Sequence, residues 1–171
     1  PSRLAIIDYT IPSREQRLWV VDLKQRKLLF EEYVAHGKGS GDDIPNAFSN
    51  RNGSHQSSLG LFLTHTTYEG GNGYSLKLHG LSKGFNESAM ERLIVMHGAP
   101  YVNPAVAQKQ GRLGRSFGCP AVRTEVAQPM IDTLKLGQFI YAFGPGTAKL
   151  SACKTENLSL AKLSVARETS K

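Results

Sequence analysis

"GYSLKLHGLSKGFNESAMERLIVMHGAPYV", Gly73 to Val102, is the stretch on which the fold turns. It opens on a clean alternation. Leu76, Leu78 and Gly80 share one face, and Ser75, Lys77 and His79 share the other, which is the period of a half-buried strand. "NESAMERL" predicts a short helix with Asn86 as N-cap and Glu87 in the first turn. "LIVMHG" reads as a buried strand that ends at His97.

Working outward, more strands appear. "LAIIDYT" (Leu4 to Thr10) is a short apolar run ended by Pro12. "RLWVVDL" and "KLLFEEYVAHG" flank "KQR" as the arms of a hairpin. The Gly-, Ser- and Asn-rich stretch from Gly37 to Ser58 is long for a loop, and such loops are usually functional or mobile. "LGLFLTHTTYEG" is another strand, and "GGNG" (Gly70 to Gly73) is a strong turn signal. Downstream, "TEVAQPMIDTLKLG" predicts a helix that Thr124 caps and Gly137 closes, with Pro129 kinking or restarting it. "QFIYAFG" is a last strand. From Thr147 to Lys171 the chain turns polar and mildly basic, and "ENLSLAKLSVARE" is a candidate amphipathic helix or a frayed tail.

The expectation is a mainly β, α+β domain over 1–146, with a basic tail over 147–171 and two or three short helices. Regular βαβ alternation is missing, which argues against a doubly wound sheet. There is no internal repeat and no low-complexity segment.

A chain of 171 residues suits one such domain. No apolar run is long enough to span a membrane. Net charge is +7, which favours anionic partners. Lys and Arg are scattered without a basic block or aromatic interleaving, which argues against a nucleic-acid surface. The chain begins at Pro1 with no signal-like apolar run. If a signal was removed, the expected compartment is the cell envelope (periplasm); otherwise it is the cytoplasm.

The two cysteines, Cys119 and Cys153, make no disulfide framework, and no CxxC occurs. Cys119 lies in "GRSFGCPAVR", between Gly118 and Pro120. A catalytic thiol needs a base or a positive field. His97, fixed at a strand end before Gly98, is a candidate base. Gly118 removes side-chain bulk where a substrate carbonyl would approach the backbone N–H groups. The plainer alternative is a small buried thiol and a structural imidazole. A zinc site from His79, His97 and Cys119 is a third reading, but no close-spaced ligand pair supports it. Neither a metal nor a cofactor is expected.

"IVMHGAPYV" followed by "GRSFGCPAV" resembles the YkuD-type L,D-transpeptidase catalytic domain of bacterial murein synthesis. Ser116, Gly118 and Cys119 match its motif. Eighteen residues separate His97 from Ser116, one more than usual, and Phe117 stands where the commoner motif has His. "RLWVVDL", "VAHGKGSG" and "NAFSNRNGSHQSSLG" extend the likeness to the branch with an aromatic before Gly-Cys, over roughly Leu4 to Gly144.

The resemblance implies a fold of mixed β-sheets with few helices. It implies that Cys119 attacks the third-residue carbonyl of a peptidoglycan tetrapeptide stem, releasing D-Ala through a thioester. A neighbouring stem amine then gives a 3→3 cross-link, or water gives an L,D-carboxypeptidase. His97 is then base and acid, and the Gly98 carbonyl orients its ring. Gly118 and Cys119 supply oxyanion N–H groups, and Ser116 lines the site. The Arg expected two residues after Cys is Ala121 here, so Arg115 or Arg123 is the candidate for a substrate carboxylate. Phe117 packs in place of the motif His, and His79 is a candidate for the cleft wall. A non-catalytic wall-binding module is the reading from another class.

Overall fold

The structure is a computed structural model and describes residues 1–149. The strands are β1 (Arg3–Asp8), β2 (Leu18–Asp22), β3 (Lys27–Glu32), β4 (Gly60–Gly70), β5 (Gly73–Gly80), β6 (Val95–Gly98), β7 (Ala121–Val122) and β8 (Phe139–Phe143). Among the described residues there are two α-helices, α1 (Pro104–Gln110) and α2 (Thr124–Leu134), and short 3-10 turns at Lys38–Ser40 and Thr147–Lys149. All strands join one sheet in the order β3-β2-β1-β8-β4-β5-β6-β7. The β1–β8 and β6–β7 pairs are parallel, and the others antiparallel. Just past β3, Ala35 bridges Ala121 and Gly37 bridges Ser116, so the two ends of the sheet meet and nearly close it.

Hydrophobic alternation builds the core. Ala5 and Ile7 of β1, Leu18 and Val20 of β2, and Leu76 and Leu78 of β5 are all buried. Helix α2 lays Ala127, Met130, Ile131 and Leu134 on this face. A smaller cluster of Ala99, Val102, Ala107 and Leu113 gathers at α1 beside Ala35 and Ala121.

Several local expectations change. Residues 82–93 form consecutive turns, not a helix. Asn86 is buried and works as a tie: its side chain accepts from the Ser82 N–H and donates to the Leu61 carbonyl. Helix α1 was unforeseen, although Asn103 caps it, Pro104 opens it and left-handed Gly111 closes it. Helix α2 runs unbroken through Pro129, and Thr124 is its first residue, not its cap. Past its end, Leu136 and then Gly137 take positive φ. Most of the 37–58 stretch is irregular but bonded inward: Ser57 donates its N–H to Ser40 Oγ, and Gly37 donates its N–H to Ser57 Oγ. Thr147 is buried and bonds back to Gly144, opening a 3-10 turn to Lys149. The tail helix candidate and Cys153 lie outside the described residues. No helix among the described residues is long and apolar enough to cross a membrane.

Candidate active site

Sheet register brings the two candidate residues together. In the parallel β6–β7 pair, His97 is aligned with Ala121. Continued two residues back, just before β7 begins, this alignment sets Cys119 beside Val95. The Val95 N–H accordingly points at Cys119 Sγ at 3.5 Å, and Sγ lies 3.6 Å from the Leu93 carbonyl. His97 and Cys119 face one cleft of about 320 Å³.

His97 is 3% exposed. Its Nδ1 lies 2.9 Å from the Gly98 carbonyl oxygen. A carbonyl only accepts, so Nδ1 carries the proton and Nε2 is left with its lone pair. Burial pushes the imidazole pKa below its ordinary value, partly offset by that bond, so the ring is neutral at pH 7. Gly98 has no room for a side chain: an added Cβ would meet Ala127 of α2 at 2.8 Å.

Burial pushes the Cys119 thiol up, while the Val95 N–H and the Arg92 guanidinium pull it down. The upward effect prevails, so the resting pair is thiol and neutral imidazole, not an ion pair.

The Ser-Phe-Gly run before the cysteine is tied differently from expectation. Ser116 Oγ accepts the Gly118 N–H at 3.1 Å and donates to the Cys119 carbonyl at 2.6 Å. The serine holds the loop's shape, and the Gly118 N–H is already engaged. The Cys119 N–H, lying against its own sulfur, remains as a donor for an oxyanion. Gly118 sits at φ +124, and a Cβ there would meet the Gln56 carbonyl at 2.9 Å. Phe117 is 64% exposed at the cleft rim. Its ring lies 4.6 Å from that of His55, with Lys38 Nζ 4.3 Å from its centre.

The remaining candidates separate. Arg115 lines the cleft, with Nη1 on the Gly41 carbonyl at 2.9 Å and near exposed Asp42 at 3.4 Å. Arg123 forks onto Glu32 (2.9 and 2.5 Å) and borders a different cleft with Pro100 and Thr124, so it is committed elsewhere. His79 is exposed, pairs with Leu63 across the β4–β5 ladder, and is not in the cleft wall. Among the described residues, no three His, Cys, Asp or Glu side chains are grouped to hold a metal.

Sequence reasoning passed over Arg92, Tyr101 and Asn72, which also line the cleft. Tyr101 lies inside the quoted "IVMHGAPYV", and burial pushes its hydroxyl up to about 12. Asn72 sits in the tip of the β4–β5 hairpin, and no spacing rule pointed to it or to Arg92.

A family model described as the L,D-transpeptidase catalytic domain matches residues 1–143. Among solved structures, an L,D-transpeptidase from Mycobacterium smegmatis matches with TM-score 0.50 and 13% identity, over 84% of this chain and 59% of that one. LdtMt1, an LD transpeptidase solved in complex with imipenem, matches with TM-score 0.50 and 13% identity, over 83% and 59%. The helical cell shape determining protein Pgp2 from Campylobacter jejuni matches with TM-score 0.54 and 12% identity, over 82% and 47%. At such identities the likeness is one of fold. The chain spans less than two thirds of each of these structures. No curated protein matches the sequence.

Proposed function

This chain belongs to the L,D-transpeptidase catalytic domain family, and from that premise we propose that it performs cysteine-dependent acyl transfer on peptidoglycan tetrapeptide stems in the bacterial cell envelope. The observation that carries the reading is the single cleft holding Cys119 and a neutral His97, with Nδ1 of His97 tied to the Gly98 carbonyl.

The chemistry follows from that arrangement. His97 Nε2 takes the Cys119 proton as Sγ attacks the third-residue carbonyl, the L centre of meso-diaminopimelate. A C–S bond forms, and the carbonyl electrons move onto oxygen beside the Cys119 N–H. The C–N bond to D-Ala then breaks, and His97 returns its proton to the leaving amine. In the second half a stem amine attacks the thioester and gives its proton to His97. The C–S bond breaks, and the proton returns to Sγ. Arg115 is the side chain suited to a stem carboxylate at the cleft wall, because its fork is only partly used.

The test is mass spectrometry of products from murein tetrapeptides, with Cys119→Ala alongside. The expected result is 3→3 dimer plus D-Ala from the wild type and neither from the variant. Tripeptide plus D-Ala without dimer would make the protein an L,D-carboxypeptidase resolving the same thioester with water. Unimpaired turnover by Cys119→Ala would overturn the reading.

A further inference from the structure

Arg92, near the end of the 82–93 turns, sets a half-buried guanidinium against the 49–58 part of the long loop. Nη1 donates to the Ser49 carbonyl (2.7 Å) and Ser58 Oγ (2.6 Å), and Nη2 donates to Ser54 Oγ (3.2 Å) and the Gln56 carbonyl (2.8 Å). Every one of these acceptors is neutral. Arg3, Arg14, Arg112, Arg115 and Arg123 each meet a carboxylate instead. Among the described residues Arg92 forms no salt bridge. Taking a guanidinium even partly out of water costs hydration energy that a carboxylate normally offsets. Here the hydrogen bonds are satisfied while the charge is not.

That charge lies beside the nucleophile. Nη2 is 3.6 Å from the point a Gly118 Cβ would occupy, and Arg92 and Cys119 share the cleft wall. The Gln56 carbonyl that Arg92 grips is also the atom that a Gly118 Cβ would strike. Clamp and field therefore act on the same turn. The other titratable groups around the thiol are His97 and Tyr101 from β6 and its exit, Arg115 from the thiol's own loop, and Tyr9 beyond β1. Arg92 is the one whose charge pulls the thiol towards thiolate.

We propose that Arg92 is a positioning residue for the acyl transfer: its fork clamps residues 49–58 behind Gly118, and its unpaired charge stabilises the Cys119 thiolate and the oxyanion that follows. The proposal rests on the reading of Cys119 as nucleophile.

The test is the pH dependence of iodoacetamide alkylation, read by mass spectrometry on the Cys119 peptide so that Cys153 does not enter. Wild type is compared with Arg92→Lys and Arg92→Met. Arg92→Met is expected to raise the apparent thiol pKa by about one unit and to lower kcat about tenfold with KM within about twofold. Arg92→Lys is expected to keep the wild-type thiol pKa. An unchanged pKa in Arg92→Met overturns the proposal whatever happens to kcat. A shift in Arg92→Lys as large as in Arg92→Met overturns it too, because charge would then be irrelevant. If Arg92→Met fails to fold, Arg92→Gln, which keeps amide donors without charge, is read in the same way. Alkylation needs no murein, so a wild type without acyl transfer would sink the proposed function separately from this comparison.

Discussion

The carbonyl oxygen of Gly98 lies 2.9 Å from Nδ1 of His97, the residue immediately before it. A main-chain atom thus orients the imidazole, and no side chain can be mutated to remove it. The ring itself can be replaced. His97→Gln is expected to lower kcat by roughly 10² to 10⁴ while leaving the fold intact. Steady-state turnover of a murein tetrapeptide checks the first part, and thermal unfolding the second.

Because burial depresses the His97 pKa below 6.5, the base stays neutral further into acid than a free imidazole. The midpoint of the acid limb is expected to lie below pH 6.5. A kcat/KM profile with an acid limb above 6.5 would contradict the neutral, desolvated ring.

Gly118→Ala puts a Cβ on a residue at φ +124 and against the Gln56 carbonyl. Strain of this kind costs about 1–3 kcal/mol, and the turn carrying Cys119 must shift to relieve it. The expected outcome is a lower Tm together with at least about a tenfold loss of acylation rate. Wild-type acylation in a folded Gly118→Ala protein would show that the turn tolerates rearrangement.

His36 is fully buried, with Nδ1 2.8 Å from Arg17 Nη2 and Nε2 facing the Gly41 carbonyl. A guanidinium only donates, so Nδ1 must stay unprotonated. Burial, and then the Arg17 charge, push its pKa down to about 4. The unfolded chain binds this proton near pH 6.5 and the folded one only near 4. Stability therefore rises with pH across that window, by about 3 kcal/mol at roughly 1.4 kcal/mol per pH unit. Urea midpoints between pH 4 and 7 read the slope, which should flatten in His36→Gln.

Arg123 is forked onto Glu32, which is 6% exposed. Arg123→Met leaves a nearly buried carboxylate without its cation and should cost about 1–3 kcal/mol. KM for a stem peptide should not move. A KM increase of tenfold or more would return Arg123 to the substrate.

Much of the sheet was legible because Ala5 and Ile7 alternate with half-buried neighbours, and Leu76 and Leu78 largely do so although Ser75 beside them is buried too. Segment 82–93 misled because Asn86 resembles a cap by position, yet its amide spans to Ser82 and Leu61. Such a tie depends on which strand lies opposite, which local pattern does not encode. Helix α1 was legible and overlooked: Asn103, Pro104 and Gly111 mark both its ends. At the site, the strand ending at His97 and the Gly-flanked Cys119 could be picked out locally. The roles of Ser116 and Arg123 could not, since each is set by where a side chain finds its partner. Arg92 was silent because its acceptors are scattered from Ser49 to Ser58, with no periodicity to betray them.

Strand β8 lies between β1 and β4, so among the described residues the β1–β3 meander and the β4–β7 half of the sheet share no ladder except through it and the isolated Ala35–Ala121 and Gly37–Ser116 bridges. Of the described strands β8 is the last in sequence. Until Phe139–Phe143 emerges from the ribosome, the two half-sheets can meet only at those bridges, and β1 and β4 have raw edges. Assembly is a late, long-range event of the slow kind, and those edges are where a stalled or truncated product would aggregate.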